Sequence, residues 1–251
     1  MDETTKGWGT DLGRALVIGG CIVAAAAVAA RAGVEAFRIR HQDHRITVTG
    51  SATRRIQSDF IVWRSVIRAQ DPTLTAAYKK IAADVPTVLS FIKSQGIAEK
   101  NVTVSSASIQ EVHPRTHEGQ IQEDVTSAYV AEQTIEVSSS DIPKVERASR
   151  EATALLDRGV YVRSDPPLYI YTKLATLKIQ MLAEASKDAR LRAEQIASNT
   201  GSKLGGLLTA RMGVLQINPA FSTEVSAEGN NDKTTLEKDV LAVATASFEV
   251  K

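Results

Sequence analysis

Histidine and cysteine, the side chains most often used as metal ligands or general bases and nucleophiles, are few: 4 histidines and 1 cysteine in 251 residues. The histidines fall in two close pairs, His41 with His44 and His113 with His117. Such spacings can offer two imidazoles to one metal ion, but a zinc site needs three or four protein ligands. No third ligand is evident for either pair. Pro114 also breaks any helix that would align His113 with His117. These histidines read as structural or solvent-exposed, and no metal ligand is assigned. Cys21 sits inside an apolar run, so the remainder of the chain has neither a disulfide framework nor a cysteine-based zinc site.

The run Gly201-Ser202-Lys203-Leu204-Gly205-Gly206 is glycine-rich, but it follows a helical pattern instead of opening one. A phosphate cradle uses the free amides of a helix N-terminus, so the run reads as a helix cap and a turn. The chain has no Walker A run, no Gly-x-Ser-x-Gly and no His-Glu-x-x-His. The expectation is therefore no catalytic residue, no cofactor and no enzyme. Trp63 reads as core rather than as a stacking platform. A formal net charge of +1, with acids and bases alternating along the longest helix, argues against a nucleic-acid groove. Hydrophobic residues at 43% and charged residues at 24% are globular values.

Residues 15–37 carry a mostly apolar run of about 23 residues, roughly 34 Å as a helix, against a bilayer core of about 30 Å. The expectation is a single-pass transmembrane anchor touching the lipid bilayer, after a tail at 1–14 and before a polar tether at 38–44. Arg31 would snorkel to the interface. Two alternatives stay open: a cleaved signal peptide with Ala27-Val28-Ala29 as its cleavage site, and lipid attachment at Cys21. Cys21, Ala25, Ala29 and Gly33 recur every four residues, a spacing that lets two helices approach closely in lipid. Arg31, Arg38, Arg40 and Arg45 follow the segment, whereas only Lys6 and Arg14 precede it. On charge alone the large domain would face the cytoplasm.

The elements that must carry any surface lie in 45–251. Arg45 to Ala52 alternates as a strand, with Gly50 expected at a bulge or bend. A second strand spans about 56–70. Asp71-Pro72 is expected to open a helix, with Leu74, Tyr78, Ile81, Val85, Leu89 and Ile92 as its buried stripe and Pro86 inside it. Strands are expected near 101–112 and 125–138, joined by a polar loop at 111–124. A helix starts at Asp141-Ile142-Pro143 and ends before Gly159, and a strand from Val160 to Tyr171 follows, with Pro166-Pro167 placing it at an edge or bulge. The longest helix runs from about Lys173 to Thr200. Its expected buried stripe is Leu174, Leu177, Met181, Ala185, Ala189, Ala193 and Ile196. Two strands near 207–217 and 240–250 close the chain around a polar loop at 218–238, expected to be functional or mobile. Strands, helix, strands occurs twice. The fold class is α+β, a largely antiparallel sheet packed against long helices.

Two stretches carry a recognisable pattern: Ile46-Thr47-Val48-Thr49-Gly50-Ser51-Ala52 with Ile56-Gln57-Ser58-Asp59, and Tyr169-Ile170-Tyr171-Thr172-Lys173-Leu174 running into Ala183-Glu184-Ala185, Ala189, Ala193, Ala197, Gly201 and Leu204-Gly205. Together they resemble the SIMPL family. Ser58 departs from the pattern, where many members have proline. The resemblance covers about 45–251. It implies an α+β fold, a bacterial envelope location with the domain in the periplasm, ring-like homo-oligomers and a loose link to oxidative stress. It supplies no catalytic residues. Two functions follow as expectations. The first is a non-enzymatic, membrane-anchored module that self-assembles or binds a partner. The second is a ligand binder or enzyme with a pocket under the 111–124 or 218–238 loops.

Overall fold

The structure, a computed structural model, describes residues 25–31 and 44–251. Residues 25–31 form an exposed helical stretch. The remainder of the expected anchor, including Cys21 and Gly33, lies outside the described residues, as do the tail at 1–14 and the tether up to residue 43. Among the described residues, no helix is long and apolar enough to cross a membrane.

The fold is α+β with antiparallel strands, but these form two sheets and not one. The four-stranded sheet holds β1 (Arg45–Gln57), β8 (Leu204–Met212), β9 (Gln216–Pro219) and β10 (Glu237–Val250), with β10 between β1 on one side and β8 and β9 on the other. The six-stranded sheet holds β2 (Phe60–Asp71), β3 (Val102–Val104), β4 (Ser108–Val112), β5 (Ala128–Ser139), β6 (Val162–Ser164) and β7 (Leu168–Ile170). Here β5 lies between β2 and the β3–β4 edge, and β6 and β7 add to the far side of β2. Helices α1 (Leu74–Ser94) and α2 (Ile142–Glu151) pack on the six-stranded sheet, and α3 (Leu174–Asn199) packs on β1 and β10.

The twofold run of strands, helix, strands has a structural counterpart. Each sheet contains a strand, a helix, a broken edge strand and a central strand: β1, α3, β8/β9, β10 in one, and β2, α1, β3/β4, β5 in the other. In both, the last strand is central and pairs antiparallel with the first.

The two cores differ in material. Under α1 and α2, large side chains meet: Ile61, Trp63, Ile67, Val88, Ile92, Ile135 and Val145 are all buried. Trp63 donates its indole N–H to Ser164 Oγ at 2.9 Å, which in turn donates to the Ser149 carbonyl at 2.8 Å. Under α3, Met181, Ala185, Ala189 and Ala193 face Val48, Val240, Ala244 and Ala246.

Gly50 is not a bulge. It pairs with Ala244 in an unbroken register, so β1 runs on to Gln57 and β2 starts later than expected. The glycine is required from above: a Cβ there would lie 2.2 Å from the Ala189 nitrogen and 2.3 Å from the Ala185 carbonyl oxygen. Three helix expectations also change. Thr73, not Asp71, caps α1 by accepting from the Ala76 N–H, and Asp71 accepts from the Thr73 N–H at 3.0 Å. The buried face of α1 is Ala77, Ile81, Val88, Phe91 and Ile92, which leaves Leu74 and Tyr78 exposed, while the helix continues through Pro86. In α3, Ala197 takes the buried place expected for Ile196, which is exposed. The outer i,i+4 pairs of α3 form as the spacing predicts, Arg192 to Asp188 and Arg190 to Glu194, both at 2.8 Å.

Candidate functional site

The histidines do not converge. His44 and His117 are exposed, His113 donates its Nδ1–H to the Val125 carbonyl at 3.0 Å, and His41 lies outside the described residues. Among the described residues, no group of three His, Cys, Asp or Glu is placed to hold a metal ion. The glycine-rich run ends α3 and begins β8: Gly201 has φ 75°, the left-handed value that closes a helix. The 111–124 loop is an exposed extension of β4, closed by a bridge between Arg115 and Ile121.

Titratable groups do converge under the 218–238 loop. Lys238 is 1% exposed and places its Nζ 2.8 Å from Asp232, whose side chain is 8% exposed. The ammonium also donates to the Thr235 carbonyl at 2.6 Å. Asp232 further accepts from the Thr234 hydroxyl at 2.7 Å, from the Thr234 N–H at 2.9 Å, and from Thr235. Burial opposes the Asp232 charge, but the bonds from Lys238, Thr235 and Thr234 outweigh it and hold the carboxyl well below the usual range. Such an acid is too weak a base to take a proton near neutral pH.

Two buried amides then staple the loop. Gln216 accepts from the Asn230 N–H at 2.9 Å and donates to the Ser226 carbonyl at 2.8 Å. Asn218 donates to the Glu224 carbonyl at 2.6 Å and accepts from Asn230 Nδ2 at 2.9 Å. The loop's buried polar groups answer one another. A cavity of about 130 Å³ lies beside it, lined in part by Tyr169, Tyr171, Asp232 and Lys238. That is below the few hundred Å³ of ordinary ligand sites.

Asp59, quoted above for its place after β1, joins the two sheets. It accepts from the Thr172 N–H at 2.7 Å and the Thr172 hydroxyl at 2.9 Å, just ahead of α3. Burial works against its charge, and the Thr172 bonds with nearby Lys173 reverse the effect, so its pKa is lowered. Ser58 donates its N–H to the Leu236 carbonyl at 2.9 Å, a bond that a proline at this position would forfeit.

The feature that sequence reasoning missed is an edge. β8 pairs with β10 on one side, and among the described residues nothing pairs with the other. Leu207, Leu208 and Met212 on this strand are 58%, 55% and 61% exposed. The periodicity of an apolar strand does not distinguish a central strand from an edge, so no local signal marks it. The opposite edge, β1, is guarded: Asp188 accepts from the Ser51 N–H at 2.8 Å, and Arg54 is held by Gln180 and Glu184. Unpaired N–H and C=O groups on a long strand are a template for another chain. β8 has 9 residues, against 3 in β3 and 5 in β4.

Fold and surface together define a two-sheet α+β module with an open, partly apolar sheet edge at β8. The profile of the SIMPL family, described as "Protein of unknown function (DUF541)", matches residues 46–249, and the chain belongs to this family. SIMPL is a family of unknown function and not a known enzyme family. No curated protein matches the chain.

Proposed function

We propose that the chain is a non-enzymatic bacterial cell-envelope protein, anchored through 15–37 in the inner membrane, whose periplasmic 45–251 module self-assembles through the β8 edge. The observation that carries this reading is β8 itself, a nine-residue open strand with three large apolar side chains more than half exposed. The anchor rests on the apolar run, and the periplasmic side and stress link on the family resemblance. A ring needs either a head-to-tail contact or two different two-fold contacts, so β8 alone would build at most one of its interfaces.

Two measurements test this. Light scattering on the detergent-solubilised full chain should give a mass above one subunit, and a monomer at every concentration overturns self-assembly. A reporter enzyme active only after export, fused after residue 251, should be active; an inactive fusion with a stable product overturns the periplasmic placement.

A second reading, a ligand site under the 218–238 loop, draws on the cavity beside Asp232 and Lys238. It is the weaker one, because the cavity is small and the Asp232 oxygens already accept from three residues.

A further inference from the structure

The six-stranded sheet has an edge of its own, and a cavity stands beside it. β3 and β4 pair with β5 on one side, and among the described residues no strand pairs with the other. The register of β3 shows which backbone groups this edge presents. Val104 stands opposite Ile135, and the next residue, Ser105, donates its N–H to the Thr134 carbonyl at 2.9 Å. Backbone groups alternate sides along an antiparallel pair, so Val104 turns both its N–H and its C=O outward. The Val102 carbonyl points the same way, while the Val102 N–H is already given to the Glu99 carbonyl. Side chains alternate too. Val102 and Val104 pair with Val137 and Ile135, both buried under the helices, so they lie on the face that α1 covers. There the flank of α1, the 97–99 connection and the start of β3 enclose a cavity of about 290 Å³, walled by Leu89, Ile92, Ile97 and Val102. Val104 and Ile109, both exposed, extend this apolar strip along the edge.

We infer that this edge takes an extended segment of a different polypeptide, which adds a strand outside β3 and seats one large apolar side chain in the cavity. The inference goes beyond the self-assembly reading and does not depend on it, because β3 and β8 belong to different sheets.

Three observations select a peptide. The first is the edge itself. An outward N–H flanked by outward carbonyls is a pattern that another backbone answers and an aliphatic ligand does not. Strand addition draws its affinity from such main-chain bonds and its specificity from pockets for alternate side chains. The second is size. The cavity falls just under the range of about 300 to 1,000 Å³ that encloses a whole small molecule, and it suits a side chain held by a backbone lying outside. The third is charge. Lys93 and Glu99 both line the cavity, and neither has an ion pair among the described residues. A fatty acid would bring its carboxylate up to Glu99, and an amine would meet Lys93. A peptide is dipolar, with a carbonyl for the ammonium and an N–H for the carboxylate. A second copy is the weaker occupant, because β3 paired with itself sets only 3 residues against 3.

The probe is a fluorescein-labelled heptapeptide that alternates threonine with apolar residues, leucine at the centre and valine on either side. It spans about 23 Å as a strand. Fluorescence polarisation on the full chain in lipid nanodiscs, with empty nanodiscs as the baseline, should show saturable binding. Two further peptides carry N-methyl groups on alternate amides, in one phase or the other. One phase should weaken binding at least about tenfold and the other leave it within about threefold, because only one set of amides faces the edge. Val104→Pro removes an outward N–H that no strand uses, at an edge where proline is tolerated. Ala98→Phe fills the cavity from its own wall. Each should weaken binding at least about tenfold, with a melting temperature near the parent's. No saturable binding, equal binding of the two methylated peptides, or full binding by both variants overturns the inference. A peptide of residues 204–212 of this chain that binds more tightly than the probe overturns the foreign occupant and makes the groove a contact between copies. None of these outcomes alters the mass of the parent in light scattering, which tests self-assembly separately.

Discussion

Helices α1 and α3 occupy equivalent places in the two sheets, yet they hold their strands by opposite means. Under α1 the contact is made by volume: Val88, Phe91 and Ile92 of the helix meet Ile61, Trp63 and Ile135 of the sheet. Under α3 it is made by proximity. Ala185 and Ala189 stand so close to Gly50 that no side chain fits between helix and strand. Large residues tolerate small shifts, because neighbouring rotamers can adjust, whereas backbone against backbone has nothing to move. The close seat over β1 and β10 brings Asp188 to the edge of β1 and leaves the outer side of β8 open. Where α3 packs thus decides which edge of the sheet is closed.

The largest expected effect lies in that close seat. Ala189→Asp places a carboxylate at a fully buried position facing Gly50 and Val48, where an unpaired charge costs several kcal/mol. We expect no cooperative melting transition by circular dichroism; a variant that melts like the parent would mean that α3 does not seat on β1 through this face. Gly50→Ala should cost about 3 kcal/mol, at the high end for overpacking, since its Cβ meets backbone. Trp63→Ala, in the sheet built by volume, should cost about 3 to 5 kcal/mol by cavity formation. If Trp63→Phe is equally damaging, the Ser164 hydrogen bond rather than ring volume holds that core.

The next effect separates the polar loop from both cores. Asp232→Asn leaves the Lys238 cation buried without its counter-charge and should cost about 3 kcal/mol at neutral pH. The sign with pH follows from the lowered carboxyl pKa. The stability that Asp232 contributes is present above its unfolded value near 3.9 and is lost as pH falls through the lower folded value. The gap in melting temperature between parent and D232N should therefore hold from about pH 7 to about pH 4 and narrow below it. A gap that stays constant through the whole acid range would show that the pair does not stabilise the fold through ionisation.

What can be read from the residues follows locality. The α3 boundaries, its i,i+4 ion pairs, the cap at Gly201 and the burial of Trp63 all depend on neighbours within a few positions, whereas the single strand expected over 160–171 is split into β6 and β7 around Pro166-Pro167. The bulge expected at Gly50 fails because the reason for that glycine is Ala185 and Ala189, more than a hundred residues away. The buried face of α1 departs from the expected stripe because Leu74 and Tyr78 fit a helical period while small Ala77 carries the actual contact. The 218–238 loop has the composition of a mobile segment, yet its polar residues answer one another through Gln216 and Asn218, and composition does not report such pairing. The division into two sheets and the open side of β8 are properties of pairing order, which no window of sequence contains.

The smallest effect tests the edge comparison directly. Asp188 accepts from the Ser51 N–H and from Arg192 Nε, both at 2.8 Å, so one carboxylate closes a strand edge and braces its own helix. Its side chain is partly exposed, and loss of these bonds should cost only about 1 kcal/mol. The informative readout is association. Asp188→Ala frees the Ser51 N–H on a strand of 13 residues, and an uncapped N–H on a long strand invites another chain. Asp188→Asn keeps an acceptor at the same place and removes only the charge. Light scattering at matched concentration should therefore rise for D188A and stay near the parent for D188N, with little change in melting temperature for either. If both variants scatter like the parent, Asp188 is not what closes β1, and the twist of the strand under α3 must protect it instead. If both rise together, charge repulsion rather than the hydrogen bond is the guard, and exposed acids along α3 such as Glu184 become the residues to replace next.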